Sequence, residues 1–142
     1  MSGNVDTDLC FVDSNIWLYT FIAQQDRNKA DAARQLIDDN LVCLSSQVIN
    51  EICSNLLRKA SYDEFRLQQV IARFYFAYNV IDLNKEILLK ASDLRFKYKF
   101  SFWDGLIVAA ALTANATTLY SEDMHNSLIV ENKLQIVNPF KN

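Results

Sequence analysis

Glycine and proline are scarce in this chain: two glycines and one proline occur among 142 residues. Because these residues punctuate loops and interrupt helices, their scarcity predicts short connections and many helices. Histidine is represented by His125 alone, which argues against a zinc site. The three cysteines, Cys10, Cys43 and Cys53, are odd in number and have no CxxC spacing. This pattern favours buried, reduced thiols over a disulfide framework.

Long apolar runs and excess positive charge are also missing. The longest apolar run, Leu106 to Leu112, has seven residues, whereas a membrane span needs about 18. The N-terminus has neither the basic nor the apolar region of a secretory signal, so we expect a cytoplasmic protein and no membrane partner. The net charge is −3 and the pI is near 5.1, which excludes binding of nucleic acid through bulk positive charge. A nucleic-acid ligand would need a local basic patch or bound cations.

The chain is rich in apolar residues, with 51% hydrophobic and 12% aromatic side chains, which excludes a disordered protein. Short apolar runs alternate with segments of helical periodicity, and this order predicts an α/β fold. We expect a three-layer α/β/α sandwich around a short, four- to five-stranded parallel sheet. After a flexible tail at residues 1–7, residues 8–142 should form a single domain. The predicted strands are Leu9–Val12, Leu41–Leu44, Val80–Ile81, Thr118–Tyr120 and Leu134–Val137.

Four acidic residues lie where a predicted strand ends or soon after a helix begins: Asp13, Glu51, Asp104 and Asp123. Each also has a purely structural explanation. Asp13 could cap the next helix, Asp104 could complete a capping box, Glu51 could be solvated and Asp123 could belong to a turn. Glu122 precedes Asp123, and either of these two acids could face the site.

Together the four positions are more informative than any one of them, because the carboxyl ends of parallel strands share one edge of the sheet. Carboxylates gathered there repel one another unless a cation joins them. All-oxygen ligands favour Mg²⁺ or Mn²⁺, and such a site can activate water and stabilise in-line displacement at phosphorus. The sequence has no Walker loop, GxGxxG or GxSxG motif. An Asp-x-Asp phosphatase nucleophile is missing too, because Ser14 and Asn15 follow Asp13.

In the segments that carry the four acids, the sequence resembles the PIN-domain ribonucleases, and in particular the VapC-like toxins of bacterial toxin–antitoxin modules. The resemblance extends from Leu9 to Val137 and depends on the order and spacing of four motifs. The motifs are FVDSN (Phe11–Asn15), SQVINE (Ser46–Glu51), FWDGLIVAAA (Phe102–Ala111) and YSED (Tyr120–Asp123).

The resemblance implies a compact α/β/α nuclease domain, often a homodimer, that cleaves RNA with the help of a divalent metal. It also implies that Asn15 and Ser121 support the site through hydrogen bonds. Toxins of this group are typically neutralised by a small antitoxin protein whose C-terminal segment covers the active site. The acidic cluster implied by the resemblance is Asp13, Glu51, Asp104 and Asp123.

Three questions stay open from the sequence: whether the domain is catalytic, and what the segment Arg95–Phe100 and His125 do. The domain could be a non-catalytic module that binds RNA or protein on the same fold, although all four acids are present. The segment Arg95–Phe100 interleaves basic and aromatic residues, which is typical of RNA contact by phosphate pairing and base stacking. It is equally typical of a helix end whose lysines extend over core aromatics. His125 could contact substrate or be an ordinary loop residue.

Overall fold

The protein is described by a computed structural model in which residues 8–141 are placed. The flexible tail predicted for residues 1–7 lies outside this range. Six strands form one sheet in the order β3-β2-β1-β4-β6-β5, and all neighbours are parallel except β5 and β6. The strands are β1 (Leu9–Val12), β2 (Leu41–Ser45), β3 (Asn79–Ile81), β4 (Thr118–Tyr120), β5 (Ile129–Val130) and β6 (Leu134–Val137).

Six α-helices connect the strands, and they form where the apolar spacing and the caps predict them. Ser45 and Ser101 accept hydrogen bonds from backbone amides at the starts of their helices, and Asp26 does the same at Lys29. A short 3-10 turn, Ala23–Gln25, separates the first two helices. The helices are α1 (Ser14–Phe21), α2 (Arg27–Asp39), α3 (Ser46–Lys59), α4 (Glu64–Ala77), α5 (Lys85–Tyr98) and α6 (Phe102–Thr113).

Helices cover both faces of the sheet, so the predicted α/β/α sandwich is confirmed. Right-handed crossovers place α1 to α4 on one face, and α5 and α6 on the other. Among the helices, α1 packs against α2 and α3, and α5 packs closely on α6. A Cβ atom at Gly105 would come within 3.1 Å of the Ala91 carbonyl oxygen, so glycine permits this close approach of α5 and α6.

The antiparallel edge strand β5 is the main departure from the predicted sheet. It has only two residues, too few to produce an alternating pattern. The turn that joins it to β6 places Glu131 and Asn132 at φ values of 52° and 58°. Such turns usually contain glycine or Asn-Gly, so a turn led by glutamate gave no signal in the sequence.

The core lies between the sheet and the helices, and α6 is buried from Gly105 to Ala111. All three cysteines are free thiols, as predicted, with Cys10 and Cys43 buried and Cys53 only partly buried. No helix within residues 8–141 is long and apolar enough to cross a membrane.

The strand order reverses between β1 and β4, and α/β sheets bind ligands outside the carboxyl ends of strands at such a point.

Candidate functional site

Asp13 is located at the point where the strand order reverses. Its backbone amide donates to the Tyr120 carbonyl oxygen at 3.0 Å, which joins the ends of β1 and β4. Its Oδ1 accepts the Ser14 amide at 2.8 Å, so Asp13 caps α1. Its Oδ2 accepts the Ser121 hydroxyl at 2.9 Å. Both explanations offered for Asp13 are therefore compatible, because the same carboxylate caps α1 and borders the cavity.

Asp123 and Glu122, which the sequence could not rank, take different directions. The Asn15 side-chain amide donates to Asp123 Oδ2, and Asp123 lines a cavity with Asp13. Glu122 turns toward α1 and α2, where it accepts the Tyr19 hydroxyl at 2.7 Å and forms an ion pair with Lys29. Glu122 is absent from the cavity lining, so the acid that joins Asp13 there is Asp123.

Glu51 and Asp104 reach the same cavity from α3 and α6. Asp104 is in the first turn of α6, and its amide donates to the Ser101 hydroxyl at 3.1 Å, as the capping pattern predicted. The Gln47 side-chain amide connects the two helices: it donates to Glu51 Oε2 at 3.4 Å and to the Trp103 carbonyl oxygen at 3.3 Å. Gln47 thereby fixes the start of α6 beside α3.

The cavity that these residues surround has a volume of about 290 Å³. All four acids named from the sequence line it, and Asn15 lines it as well, whereas Ser121 supports it from behind through Asp13. Within residues 8–141, no three acidic, histidine or cysteine side chains form a group that could hold a metal ion. The lining is Asp13, Ser14, Asn15, Gln47, Glu51, Asn55, Trp103, Asp104, Ile107 and Asp123.

The electrostatics of the cavity follow from burial and from like charge. Burial raises the pKa of Asp13 to about 6; hydrogen bonds from Ser14 and Ser121 oppose the rise, and the charges of Glu51 and Asp104 add to it. Burial also raises the pKa of Asp104, against a hydrogen bond from Ser101 and together with the charge of Asp123. Neighbouring carboxylates therefore add to the effect of burial in opposing the ionisation of Asp13 and Asp104.

Sequence reasoning did not name five lining residues as site candidates: Ser14, Gln47, Asn55, Trp103 and Ile107. Asn55 lies one helical turn after Glu51, and Trp103 directly precedes Asp104, so spacing from the acids could have identified both. Gln47 lies one helical turn before Glu51, so the same spacing could have identified it, whereas its contact with the Trp103 carbonyl oxygen depends on how α3 and α6 pack. Its side-chain Oε1 atom is buried and has no hydrogen-bond partner among the described residues.

Two other sequence candidates lie away from the cavity lining. None of the residues from Arg95 to Phe100 lines it, and Lys97 forms an ion pair with Asp93 at 3.1 Å. The Tyr98 hydroxyl accepts the Glu131 amide at 2.8 Å, which supports the structural explanation for this segment. His125 is exposed in the loop after β4 and does not line the cavity either.

A family model described as the PIN domain matches residues 10–127, which is most of the chain and includes all four acids. The comparison with curated proteins finds no significant sequence match.

Several solved structures have a similar fold. A toxin–antitoxin complex from Klebsiella pneumoniae aligns with a TM-score of 0.70 and 17% identity, over 94% of this chain and 99% of that one. VapC20 of Mycobacterium tuberculosis, described as a toxin that cleaves the sarcin–ricin loop, aligns with a TM-score of 0.66 and 20% identity, over 80% of this chain and 89% of that one. VapBC2 from Rickettsia felis, bound to a DNA fragment from its promoter, aligns with a TM-score of 0.62 and 19% identity, over 92% of this chain and 99% of that one.

Proposed function

The chain belongs to the PIN domain family, and from that premise we propose that it is a metal-dependent endoribonuclease that hydrolyses phosphodiester bonds in RNA. The observation that supports this most strongly is the convergence of four carboxylates in one cavity. Asp13 and Asp123 follow the two strands at the reversal of strand order, and Glu51 and Asp104 come from helices beside them. A solvated surface would not gather like charges from four distant positions of the chain.

The donor set fits a hard divalent cation, and PIN nucleases generally use divalent metal ions. The ligands would be Asp13, Glu51, Asp104 and Asp123; both oxygens of Asp13 already accept a hydrogen bond, and each oxygen keeps a further lone pair for a cation. Burial chiefly raises the pKa values of Asp13 and Asp104, neighbouring carboxylates add to the rise, and a cation would stabilise the ionised forms. Among the described residues no three of these groups already form a metal-holding cluster, so the proposal requires that metal binding brings the carboxylates closer together. Mg²⁺ and Mn²⁺ both match this chemistry.

When bound, a divalent cation supplies an activated water and neutralises charge on the phosphate during in-line displacement. The chain's own residues provide the orientation that this requires. Ser14 and Ser121 fix both oxygens of Asp13, and Asn15 fixes one oxygen of Asp123. Asp104 lies at the positive end of α6, which favours the ionised carboxylate needed for coordination.

The test is cleavage of total cellular RNA by the purified protein in Mg²⁺ or Mn²⁺, followed by the same reaction in excess chelator. We expect discrete cuts that require the metal and are absent from the Asp13→Asn variant. Cuts that persist both in chelator and in the variant would contradict the metal mechanism. RNA binding without any cleavage in either metal would instead support the alternative, a non-catalytic binding module.

We further propose that the protein is the toxin of a toxin–antitoxin pair, acts in the cytoplasm, and forms a homodimer. The structures of similar fold are described as a toxin or as toxin–antitoxin complexes. An acid-lined cavity is also complementary to a cationic side chain, so a small antitoxin could neutralise it by inserting Lys or Arg. Expression alone should slow growth, and co-expression with the neighbouring gene should restore growth and yield a complex. Harmless expression and no co-purifying partner would contradict the toxin assignment.

A further inference from the structure

Trp103 is an exposed aromatic residue at the acid-lined cavity. Its side chain is 63% exposed although it lines the cavity and directly precedes Asp104. The only other tryptophan, Trp17, is 4% exposed and donates its indole N–H to the Val12 carbonyl oxygen at 3.0 Å. Core packing therefore explains Trp17, whereas it leaves the position of Trp103 without an explanation.

The backbone beneath the Trp103 ring is held firmly. Its carbonyl oxygen accepts the Gln47 side-chain amide, and the residue lies in the first turn of α6. Phe102 contacts the ring edge-on, with centroids 5.7 Å apart. A T-shaped contact covers at most one face of the indole, and the side chain is 63% exposed, so the ring is a preorganised flat surface beside the carboxylates.

We propose that Trp103 stacks on a nucleobase of single-stranded RNA next to the phosphate that enters the acid-lined cavity. The inference deepens the proposed function and rests on it, since the phosphate is brought there by the metal site. Every base has an aromatic face, so stacking on indole supplies affinity with little sequence preference. Trp103 thereby provides apolar contact area that a chain of net charge −3 cannot replace by bulk electrostatic attraction.

A cationic side chain near the same cavity favours RNA over a peptide as the occupant. Arg58 is exposed and donates to the Asn55 side-chain oxygen at 2.7 Å, and Asn55 lines the cavity. Arg58 follows Glu51 by two helical turns on α3, so a guanidinium lies beyond the acids on one helix face. Three features together match a nucleic-acid strand. The carboxylates would hold a metal-bound phosphate, the Trp103 ring would stack on a base, and the Arg58 guanidinium would bind a neighbouring phosphate.

The first experiment separates substrate binding from chemistry. Trp103→Leu should raise KM for a short oligoribonucleotide about tenfold, within the range for loss of one stacked base, and change kcat less than threefold. Trp103→Phe, which keeps an aromatic ring, should recover most of the affinity. Phe76→Leu is the matched control, because Phe76 is 93% exposed on α4 and does not line the cavity. An unchanged KM in Trp103→Leu would overturn the proposal.

The second experiment does not depend on cleavage. Because Trp17 is buried, a change in tryptophan fluorescence on adding an oligoribonucleotide to the Asp123→Asn variant in Mg²⁺ reports on Trp103. We expect quenching that disappears in the Asp123→Asn, Trp103→Phe double variant. Quenching in the variant, combined with no RNA cleavage by the wild type, would overturn the proposed function and leave the stacking role standing. Normal cleavage by the wild type without quenching would overturn the stacking role alone.

Discussion

Two cavities flank α1, and they differ in almost every property. The acid-lined cavity at the sheet edge has a volume of about 290 Å³, while a second cavity between α1 and α4 has about 600 Å³. The larger one contains two arginines, Arg66 and Arg73, and no acid. Its lining is Trp17, Thr20, Phe21, Tyr62, Arg66, Gln69, Val70, Arg73, Phe74, Ala77 and Tyr78.

The larger cavity is explained by packing. Trp17 contacts Phe74 and Tyr78 edge-on, with centroids 5.0 and 5.2 Å apart, and the Arg66 guanidinium lies 3.9 Å from the Tyr62 ring centroid. These contacts stabilise the fold. The smaller cavity instead gathers like charges, and their repulsion opposes folding. The larger cavity volume therefore does not identify the candidate functional site in this molecule. The cluster of carboxylates does, because it disfavours folding and packing does not explain it.

The largest expected effect is on cleavage, and it should be confined to the acid-lined cavity. Asp13→Asn and Asp104→Asn each remove a ligand charge at nearly constant shape, so kcat should fall about a thousandfold, equivalent to about 4 kcal/mol. Arg73→Gln in the larger cavity should leave kcat within about twofold. Initial rates on a defined RNA in Mg²⁺ measure all three. A comparable loss in Arg73→Gln would mean that the two cavities are not functionally separate.

The next effect is the loss of stability when an aromatic side chain is removed from the packing around the larger cavity. Phe74 is 4% exposed and packs against Trp17, Phe21 and Tyr78. Phe74→Ala should lower the free energy of unfolding by about 3 kcal/mol through lost burial and the void left behind. The exposed Phe76→Ala control should change it by less than about 0.5 kcal/mol. Urea denaturation measures both, and the folded fraction of Phe74→Ala should cleave RNA at the wild-type rate.

Metal binding should stabilise the protein through the acid-lined cavity alone. At a Mg²⁺ concentration well above its dissociation constant, linkage predicts a gain of about 2 kcal/mol. The gain should be much smaller in Asp104→Asn and complete in Arg73→Gln. Thermal unfolding with chelator and with several concentrations of Mg²⁺ measures it. Equal gains in all three proteins would place the metal outside the acid-lined cavity.

The sequence was sufficient to place the four acids at one edge of the sheet, because Asp13 and Asp123 follow short buried strands and Glu51 and Asp104 lie early in helices. Their role in catalysis stays a prediction. The sequence was insufficient for the direction of each side chain. Glu122 and Asp123 are adjacent, and the choice between them depends on Lys29, which is distant in the chain and binds Glu122. The role of Gln47 likewise depends on the contact between α3 and α6. Both are tertiary contacts that no local pattern contains.

The smallest expected effect is a pH dependence of stability in the metal-free protein. Burial is the main cause that raises the folded-state pKa of Asp13 to about 6, from an ordinary value of 3.8. Between these values the folded state binds more protons than the unfolded state. The free energy of unfolding should therefore fall as pH rises from 4 through 6, and should not respond to Asp13 below 3.8. Because Asp13 is partly exposed, water screens the effect to about 1 kcal/mol at pH 7.

Asp13→Asn should abolish this dependence, because asparagine does not titrate and still caps a helix well. In chelator the variant should be more stable than the wild type at pH 7 and equal to it near pH 4. Asp63→Asn is the matched control, since Asp63 caps α4 from an exposed position outside both cavities. Its pH profile should keep the wild-type shape. If Asp13→Asn were less stable at every pH, the hydrogen bonds of the Asp13 carboxylate would outweigh the cost of burying its charge. The acid-lined cavity would then stabilise the fold, as the larger cavity does, and the two cavities would not differ in this respect.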